Sequence, residues 1–292
     1  MRYYLENDIL KVEMDSFGAE IKSIMRKDNN REYLWYGNPK IWGRTSPVLF
    51  PIVGTCRNNE YKYNNTTYHL ESHGFARDNE HTMVEQTEDE IWFELRETPE
   101  TLKKFPFNFI LRIGYKLVND TVKVMWKVEN TSEDKMYFQI GAHPAFLCPV
   151  HGEKNKKGYT LCFDTNSNIK HHGNKKGVAV HEDLTLELTN GKVEITEDFF
   201  DRSTFMIEDK QASMVAIEDP SGTRFVEVRF DAPLFAIWSP ENKNAPFFCI
   251  EPWFGRSDYD DFEGDISERE FIQCLEKNEV FDAGYEMSFF RV

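Results

Sequence analysis

Short runs in which apolar and polar side chains alternate recur along this sequence and constrain its fold more than any other feature. Residues 8–14 and 123–128 are clear examples. A period of two places successive side chains on opposite faces of a β-strand, so one face can be buried. Asn119-Asp120 separates the run 113–118 from the run 121–128, as in a two-residue β-hairpin loop. The pattern predicts antiparallel strands joined by tight turns.

Three further hairpins have a similar signature. Asn64-Asn65 separates two strand-like runs, and the runs 84–86 and 91–95 flank another turn. Asp219-Pro220-Ser221-Gly222 separates a further pair of runs, and its aspartate, proline and glycine favour a type I turn. We therefore expect an all-β protein, a large antiparallel β-sandwich with few short helices.

Helical and irregular segments are few. Capping residues predict helices over 98–104 and over 267–277. Residues 150–178 are rich in Gly, Lys, Asn and His, and they predict surface loops interrupted by one short strand over 159–163.

Length and charge narrow the class of protein. A chain of 292 residues suggests two domains, but a β-sandwich can reach about 250 residues as one domain. The succession of hairpins favours a single domain over residues 1–292. The net charge of −15 argues against a nucleic-acid partner, although it leaves room for a local basic pocket.

The chain has no feature of a membrane or secreted protein. No run approaches the roughly 18–20 apolar residues of a membrane helix. Charges interrupt residues 1–15, which lack the apolar core of a secretory signal, so we expect a cytoplasmic protein. The five cysteines form no CxxC motif and are expected to be free, buried thiols.

Three segments combine turn residues with titratable side chains in apolar surroundings. The first contains Arg44, Arg57, His73 and Arg77. Arginine is almost never buried without a partner. His73 precedes a glycine, and at a glycine the backbone can approach a ligand closely.

The other two segments each contain one candidate acid or base. His143 precedes a proline at the end of an apolar strand, although a core histidine bonded to the backbone would have the same context. Glu251 follows an apolar strand, where burial would raise its pKa and suit it as a general base. The alternative is a strand-end acid paired with an arginine. The acids Asp258, Asp260 and Asp261 are expected to form a solvated turn.

Four segments occur in a characteristic order. They are Pro47-Val-Leu-Phe-Pro-Ile-Val-Gly54, His73-Gly-Phe-Ala-Arg77, Gly141-Ala-His143-Pro-Ala-Phe146 and Cys249-Ile-Glu251-Pro-Trp253. Together they resemble the aldose 1-epimerase (galactose mutarotase-like) family, in particular its LacX-like branch. The resemblance spans nearly the whole chain.

The resemblance implies a galactose mutarotase-like β-supersandwich that interconverts the α and β anomers of an aldose. It implies no cofactor and no metal, and a small-molecule sugar as the binding partner. Glu251 would take the proton of the anomeric hydroxyl while His143 protonates the ring oxygen. His73 matches a histidine that binds sugar hydroxyls, and Asp201 is the best match to a sugar-binding aspartate.

The arginines are compatible with either a free sugar or a sugar phosphate as the substrate. Arg57 follows Gly54 as in hexose mutarotases, whereas Arg44 and Arg77 resemble positions that face phosphate in hexose-6-phosphate mutarotases. A sugar phosphate is therefore the alternative substrate. A second alternative is a non-catalytic sugar-binding or sugar-sensing sandwich. A glycoside hydrolase ranks last, because it needs two carboxylates about 5–10 Å apart and only Glu251 has a fitting context.

Overall fold

A computed structural model describes residues 1–175, 177–201, 204–241 and 244–292 of the chain. Its secondary structure is almost entirely β. Within these residues one α-helix, α1 (Pro99–Leu102), and three 3-10 turns (Arg57–Asn59, Ala76–Asp78 and Ile266–Glu268) accompany the strands. No helix in the described ranges has the length and apolar character needed to cross a bilayer.

The strands are numbered in chain order. Up to residue 147 they are β1 (Arg2–Glu6), β2 (Leu10–Asp15), β3 (Glu20–Arg26), β4 (Arg31–Glu32), β5 (Val48–Leu49), β6 (Glu60–Tyr63), β7 (Thr66–His69), β8 (Thr82–Gln86), β9 (Glu90–Arg96), β10 (Phe109–Val118), β11 (Thr121–Asn130), β12 (Met136–Phe138), β13 (Ile140–Ala142) and β14 (Ala145–Leu147). Beyond it they are β15 (Thr160–Phe163), β16 (Ile169–Lys175), β17 (Val178–Leu186), β18 (Lys192–Glu194), β19 (Phe205–Ile207), β20 (Met214–Glu218), β21 (Arg224–Phe230), β22 (Leu234–Trp238), β23 (Phe247–Phe254), β24 (Gln273–Leu275) and β25 (Val280–Phe289).

Two large antiparallel sheets dominate the described part of the chain. One has the strand order β18-β15-β20-β21-β25-β11-β10-β9-β8. The other has the order β17-β16-β19-β22-β23-β13-β5, and β14 also pairs with β23. Three small sheets, β1-β2-β3-β4, β6-β7 and β12-β24, complete the structure in these ranges. The expectation of an all-β antiparallel sandwich with few short helices is confirmed.

Alternation along β23 divides its side chains between the core and the opposite face. Phe248 and Ile250 belong to the main hydrophobic cluster, which also takes side chains from the other large sheet. Phe254, at the end of β23, lies 5.2 Å from Phe281 of β25 between ring centroids. The residues between these core positions, Cys249 and Glu251, therefore face away from the main core.

The four predicted hairpins are present. Val118 pairs with Thr121, and Tyr63 pairs with Thr66. β8 pairs with β9, and Asp219 O accepts from Gly222 N at 2.9 Å in the turn between β20 and β21. The turn residues predicted these pairings because they favour the backbone angles that the loops need.

Two predictions of local structure were wrong. No α-helix occupies residues 267–277; the chain forms the 3-10 turn Ile266–Glu268 and then β24, which pairs with β12. The segment 150–178 contains β16 as well as β15, and β16 pairs with β17. In both segments pairing with another strand prevails over local preference. The helix predicted over 98–104 is present but shorter, as α1.

We propose that the chain forms one domain over residues 1–292, as its sequence predicts. One hydrophobic cluster contains Leu5 near the amino terminus, Ile250 of one large sheet and Met287 of the other. A core shared by both sheets supports a single folding unit.

Candidate active site

The strand register brings His143 and Glu251 together. Ala145 of β14 pairs with Cys249 of β23. In an antiparallel ladder, a step of two residues along each strand leads to the next pair on the same face. That step leads from Ala145 to His143 and from Cys249 to Glu251. The His143 Nε2 atom lies 3.2 Å from Glu251 Oε2.

The corner between β13 and β14 fixes His143. The His143 backbone N–H donates to Pro47 O at 3.1 Å. On one side, the Trp253 indole N–H donates to Ala142 O at 3.2 Å. On the other, Pro144 restricts the His143 backbone to extended conformations. The imidazole is therefore presented from a rigid part of the backbone.

Two tryptophans enclose the His143 ring. Trp42 stacks on it with ring centroids 4.8 Å apart and planes at 29°. Trp238 meets it edge-on at 5.3 Å and 84°. Neither was predicted as a site residue. Trp238 pairs with Cys249, which puts it on the same sheet face, but this register cannot be read from the sequence. For Trp42, which lies in a long irregular segment, the sequence contains no signal either.

His73 is held in one tautomer beside His143. The Gly54 N–H donates to His73 Nδ1 at 3.1 Å, so the ring proton lies on Nε2. His73 has a φ of +65°, in the left-handed region that few non-glycine residues occupy. Its ring centroid lies 5.5 Å from that of His143. Burial and the neighbouring Arg77 lower the pKa of His73 well below its ordinary value, so the ring is neutral.

One cavity of about 280 Å³ contains these groups. Its wall includes Trp42, His73, Arg77, His143, Trp238, Glu251 and Trp253. A volume near the lower end of the range for ligand pockets suits one small ligand. Aromatic faces beside a few polar groups are the composition expected of a site that binds and orients such a ligand.

The catalytic candidates are almost fully buried. Glu251 is 1% exposed and His143 is 6% exposed. Burial raises the pKa of Glu251 well above its ordinary value. Burial, with the charge of Arg77, lowers the pKa of His143 to about 3. His143 Nε2 and the Trp253 indole N–H lie beside the Glu251 carboxyl group without forming regular hydrogen bonds to it, so its oxygens can accept from a ligand.

Arg77 lines the cavity and Arg44 lies close to it. Arg77 donates to Ser72 O at 2.6 Å, and Arg44 donates to Asp78 at 2.8 Å. Burial and the charge of Arg44 lower the pKa of Arg77 to about 10. Both guanidinium groups also lower the pKa of His143, so their positive potential extends into the site.

Arg57 and Asp201 lie outside this cavity. Arg57 donates to Glu263 at 3.1 Å and lines a separate cavity with Asp258. Asp201 lines another cavity with Lys156 and Phe200. The structure does not bring these two predicted site residues to His143, and their part in sugar binding stays a prediction.

The expectation that Asp258 lies in a solvated turn was wrong. Asp258 is 5% exposed and accepts from Arg269 Nε at 2.6 Å, while Asp260 and Asp261 are exposed as expected. This buried ion pair lies next to Ser257, which lines the cavity. A run of acidic residues in the sequence does not indicate which of them forms an ion pair with a distant arginine.

Within the ranges that the structure describes, one group of side chains has the composition of a metal site. Ligand atoms of His143, Cys249 and Glu251 all lie within 4.8 Å of one another, and all three residues are buried.

Comparisons with known proteins identify the family of the chain. A sequence model of the aldose 1-epimerase family matches residues 1–279. The chromosomal LacX protein of Lactococcus lactis subsp. lactis is 32% identical over 268 residues, covering 88% of this chain and 89% of that protein.

Two solved structures have the same fold. A galactose mutarotase related enzyme from Lactobacillus acidophilus is 34% identical with a TM-score of 0.93, and the alignment covers 100% of this chain and 98% of that one. A galactose mutarotase-like protein from Lactobacillus casei ATCC 334 is 26% identical with a TM-score of 0.92, covering 99% and 100%. The chain therefore belongs to the aldose 1-epimerase family, as its motifs predict.

Proposed function

We propose that this protein is a mutarotase that interconverts the α and β anomers of an aldose, with Glu251 as general base and His143 as general acid. The observation that carries the proposal is the 3.2 Å approach of His143 Nε2 to Glu251 Oε2 in a cavity of about 280 Å³. General acid–base catalysis needs both groups within hydrogen-bond reach of the reacting oxygens.

The reaction needs only proton transfers. The Glu251 carboxylate takes the proton of the anomeric hydroxyl while the bond between C1 and the ring oxygen breaks. His143 gives its proton to the ring oxygen, and the sugar becomes the open-chain aldehyde. Rotation about the C1–C2 bond presents the other carbonyl face, and the reverse transfers close the ring as the other anomer.

Burial of His143 and Glu251 is consistent with the number of protons that this cycle requires them to hold. The opposite pKa shifts of Glu251 and His143 both favour the uncharged forms, which hold one proton between them. Transfer of that proton to His143 produces the carboxylate and imidazolium that start ring opening, with no change in net charge. Ring opening then restores the uncharged forms, so burial favours the stage at which the aldehyde is present.

The other side chains that line the cavity are suited to binding the sugar. The Nε2 proton of neutral His73 can donate to a sugar hydroxyl. Trp42, Trp238 and Trp253 offer apolar faces to the C–H groups of a sugar ring. Within the described residues Glu251 is the one carboxylate that lines this cavity, which disfavours a glycoside hydrolase.

A hexose 6-phosphate is the second candidate substrate. Arg77 lines the cavity, and Arg44 lowers the pKa values of His73 and His143. Guanidinium groups bind phosphate through paired N–H donors. Asp78, which pairs with Arg44, is 49% exposed, so its side chain can rotate into solvent when a phosphate binds to Arg44.

Exchange spectroscopy of anomeric protons tests the proposal across free aldoses and their 6-phosphates. We expect the wild type to accelerate exchange of at least one sugar, and His143→Asn to lose that acceleration by about 100-fold or more. If a phosphorylated sugar is best, Arg77→Gln should remove the preference for phosphate. No acceleration for any sugar, or full activity in His143→Asn, would contradict the proposal.

A further inference from the structure

Cys249 is a buried thiol beside the proposed acid–base pair. It is 0% exposed. The expectation of buried thiols is confirmed for four of the five cysteines and wrong for Cys274, which is exposed. Residues 249 and 251 are two apart on β23, so their side chains share the sheet face that carries His143. The proposed proton transfers do not use this thiol.

The three side chains have the chemistry of a zinc site. Zinc in proteins binds cysteine sulfur at about 2.3 Å and histidine nitrogen or carboxylate oxygen at about 2.0–2.2 Å. Tetrahedral ligands at those lengths lie roughly 3.3–3.7 Å from one another. The 3.2 Å separation of His143 Nε2 and Glu251 Oε2 is slightly shorter than this spacing, and one ligand atom from each of the three residues lies within 4.8 Å of the other two. Closure around an ion needs a side-chain shift of about 1 Å.

Two further observations point to a ligand here. Glu251 is 1% exposed, and the polar groups beside its carboxyl group, His143 Nε2 at 3.2 Å and the Trp253 indole N–H, do not form regular hydrogen bonds with it. Buried polar atoms normally form regular hydrogen bonds, so carboxyl oxygens that lack them beside a histidine nitrogen are suited to an ion. His143 and Glu251 both line the cavity, which provides a path to them and room for a fourth ligand such as water.

We propose that His143, Cys249 and Glu251 form a binding site for a thiophilic divalent cation, Zn²⁺, and that its occupation inhibits the enzyme. Thiolate and carboxylate together neutralise the charge of the ion. Binding releases two protons to solvent, one from the thiol and one from the His143–Glu251 pair. The sulfur ligand favours Zn²⁺ over Mg²⁺ or Ca²⁺, which prefer oxygen.

Inhibition follows from the ligands themselves. A zinc ion on Nε2 removes the atom that donates the proton, and coordination occupies the carboxylate that accepts one. The kinetic part of the inference rests on the proposed function, whereas the binding part depends only on the three side chains. The ion is an inhibitor here and has no part in the proposed catalytic cycle.

Cobalt absorption tests the binding part directly. We expect the wild type to bind one Co²⁺ per chain with thiolate-to-cobalt absorption in the near ultraviolet, and Zn²⁺ to displace it. Cys249→Ala should abolish this absorption and weaken Zn²⁺ binding, measured against a chelator, by at least about tenfold. Cys148→Ala is the matched control, because Cys148 is equally buried and lies outside the cluster. Cys249→Ser, which nearly preserves the volume, replaces Cys249→Ala if the latter does not fold.

The outcomes separate this inference from the proposed function. Absence of the thiolate band in the wild type, or its persistence in Cys249→Ala or Cys249→Ser, would overturn the metal site even if sugars are turned over. A band without turnover of any sugar would leave the metal site and refute the mutarotase. In an active enzyme, Zn²⁺ should slow mutarotation by the wild type and by Cys148→Ala, but affect Cys249→Ala at least about tenfold less. Equal sensitivity would overturn the inhibitory role.

Discussion

Individual side chains of this protein are held in uncharged forms by burial, and His81 shows the consequence for stability. Its ring is 2% exposed, and Nδ1 lies 3.1 Å from Asn79 O. Burial lowers the pKa of His81 from 6.5 to about 4, although Asn79 O and Glu80 act in the opposite sense. The folded protein therefore takes up this proton less readily than the unfolded chain does.

The stability that His81 contributes should be complete above pH 6.5 and lost as the pH falls from 6.5 to about 4. Between pH 7.5 and pH 5.0 the loss should be roughly 2 kcal/mol. His81→Gln cannot take up the proton, so its free energy of unfolding should fall by about that much less over the same interval. Urea titrations of both proteins at both pH values measure the difference, and equal pH dependences would refute it.

At the scale of single residues, the sequence predicts which groups are unusual but not which groups meet. His143 and Glu251 are recognisable in the sequence because each borders an apolar strand and a proline. Their contact depends on the register of β14 against β23, which no local pattern contains. Arg57 has a motif context as suggestive as that of Arg77, yet its side chain pairs with Glu263 at another cavity.

Among the elements, the segment after β5 and the segment after β23 come into close contact beside the active site. Gly54 has a φ of +68°, and a Cβ atom there would lie 2.1 Å from Ser257 Oγ and 2.6 Å from Ser257 N. The Gly54 N–H also holds the ring of His73. The absence of a side chain at this position therefore sets both the packing of the two segments and the placement of a site residue.

Gly54→Ala should lower both stability and mutarotation. Gly222→Ala is the matched control, because Gly222 has a φ of +86° but would place its Cβ in open space. The backbone strain common to both should cost about 1–2 kcal/mol, and the clash at Gly54 about 1–3 kcal/mol more. Urea unfolding compares the two variants. Equal losses would show that the close contact at Gly54 does not matter.

Turn chemistry makes the hairpins predictable, because turn residues act on the backbone within a few positions. β16 and β24 are different. β16 contains charged and polar residues with a glycine, and its strand conformation depends on pairing with β17 and β19. β24 depends on β12, more than 130 residues earlier in the chain. A local sequence pattern carries no information about contacts between residues this far apart in the chain. For the same reason it does not predict the strand order of the two large sheets.

Across the whole molecule, net charge and local potential differ in sign. The chain has a formal net charge of −15. Arg44 and Arg77 nevertheless place positive potential beside His143 and Glu251, a buried pair that is neutral overall. The two large sheets support this arrangement, since one face of β23 packs into the core and the other carries Cys249 and Glu251. The resulting site combines a buried acid–base pair with positively charged side chains close to it.

In the proposed reaction Glu251 removes a proton from the sugar, and the mutarotation rate of Glu251→Gln tests this role most directly. Glutamine keeps the shape of the side chain and cannot act as a base. The control is Glu263→Gln, because Glu263 is exposed and pairs with Arg57 outside the cavity. On the best sugar, we expect Glu251→Gln to lose mutarotation by about 100-fold or more, with native circular dichroism, and Glu263→Gln to retain the wild-type rate. A Glu251→Gln rate within a fewfold of the wild type would contradict the account.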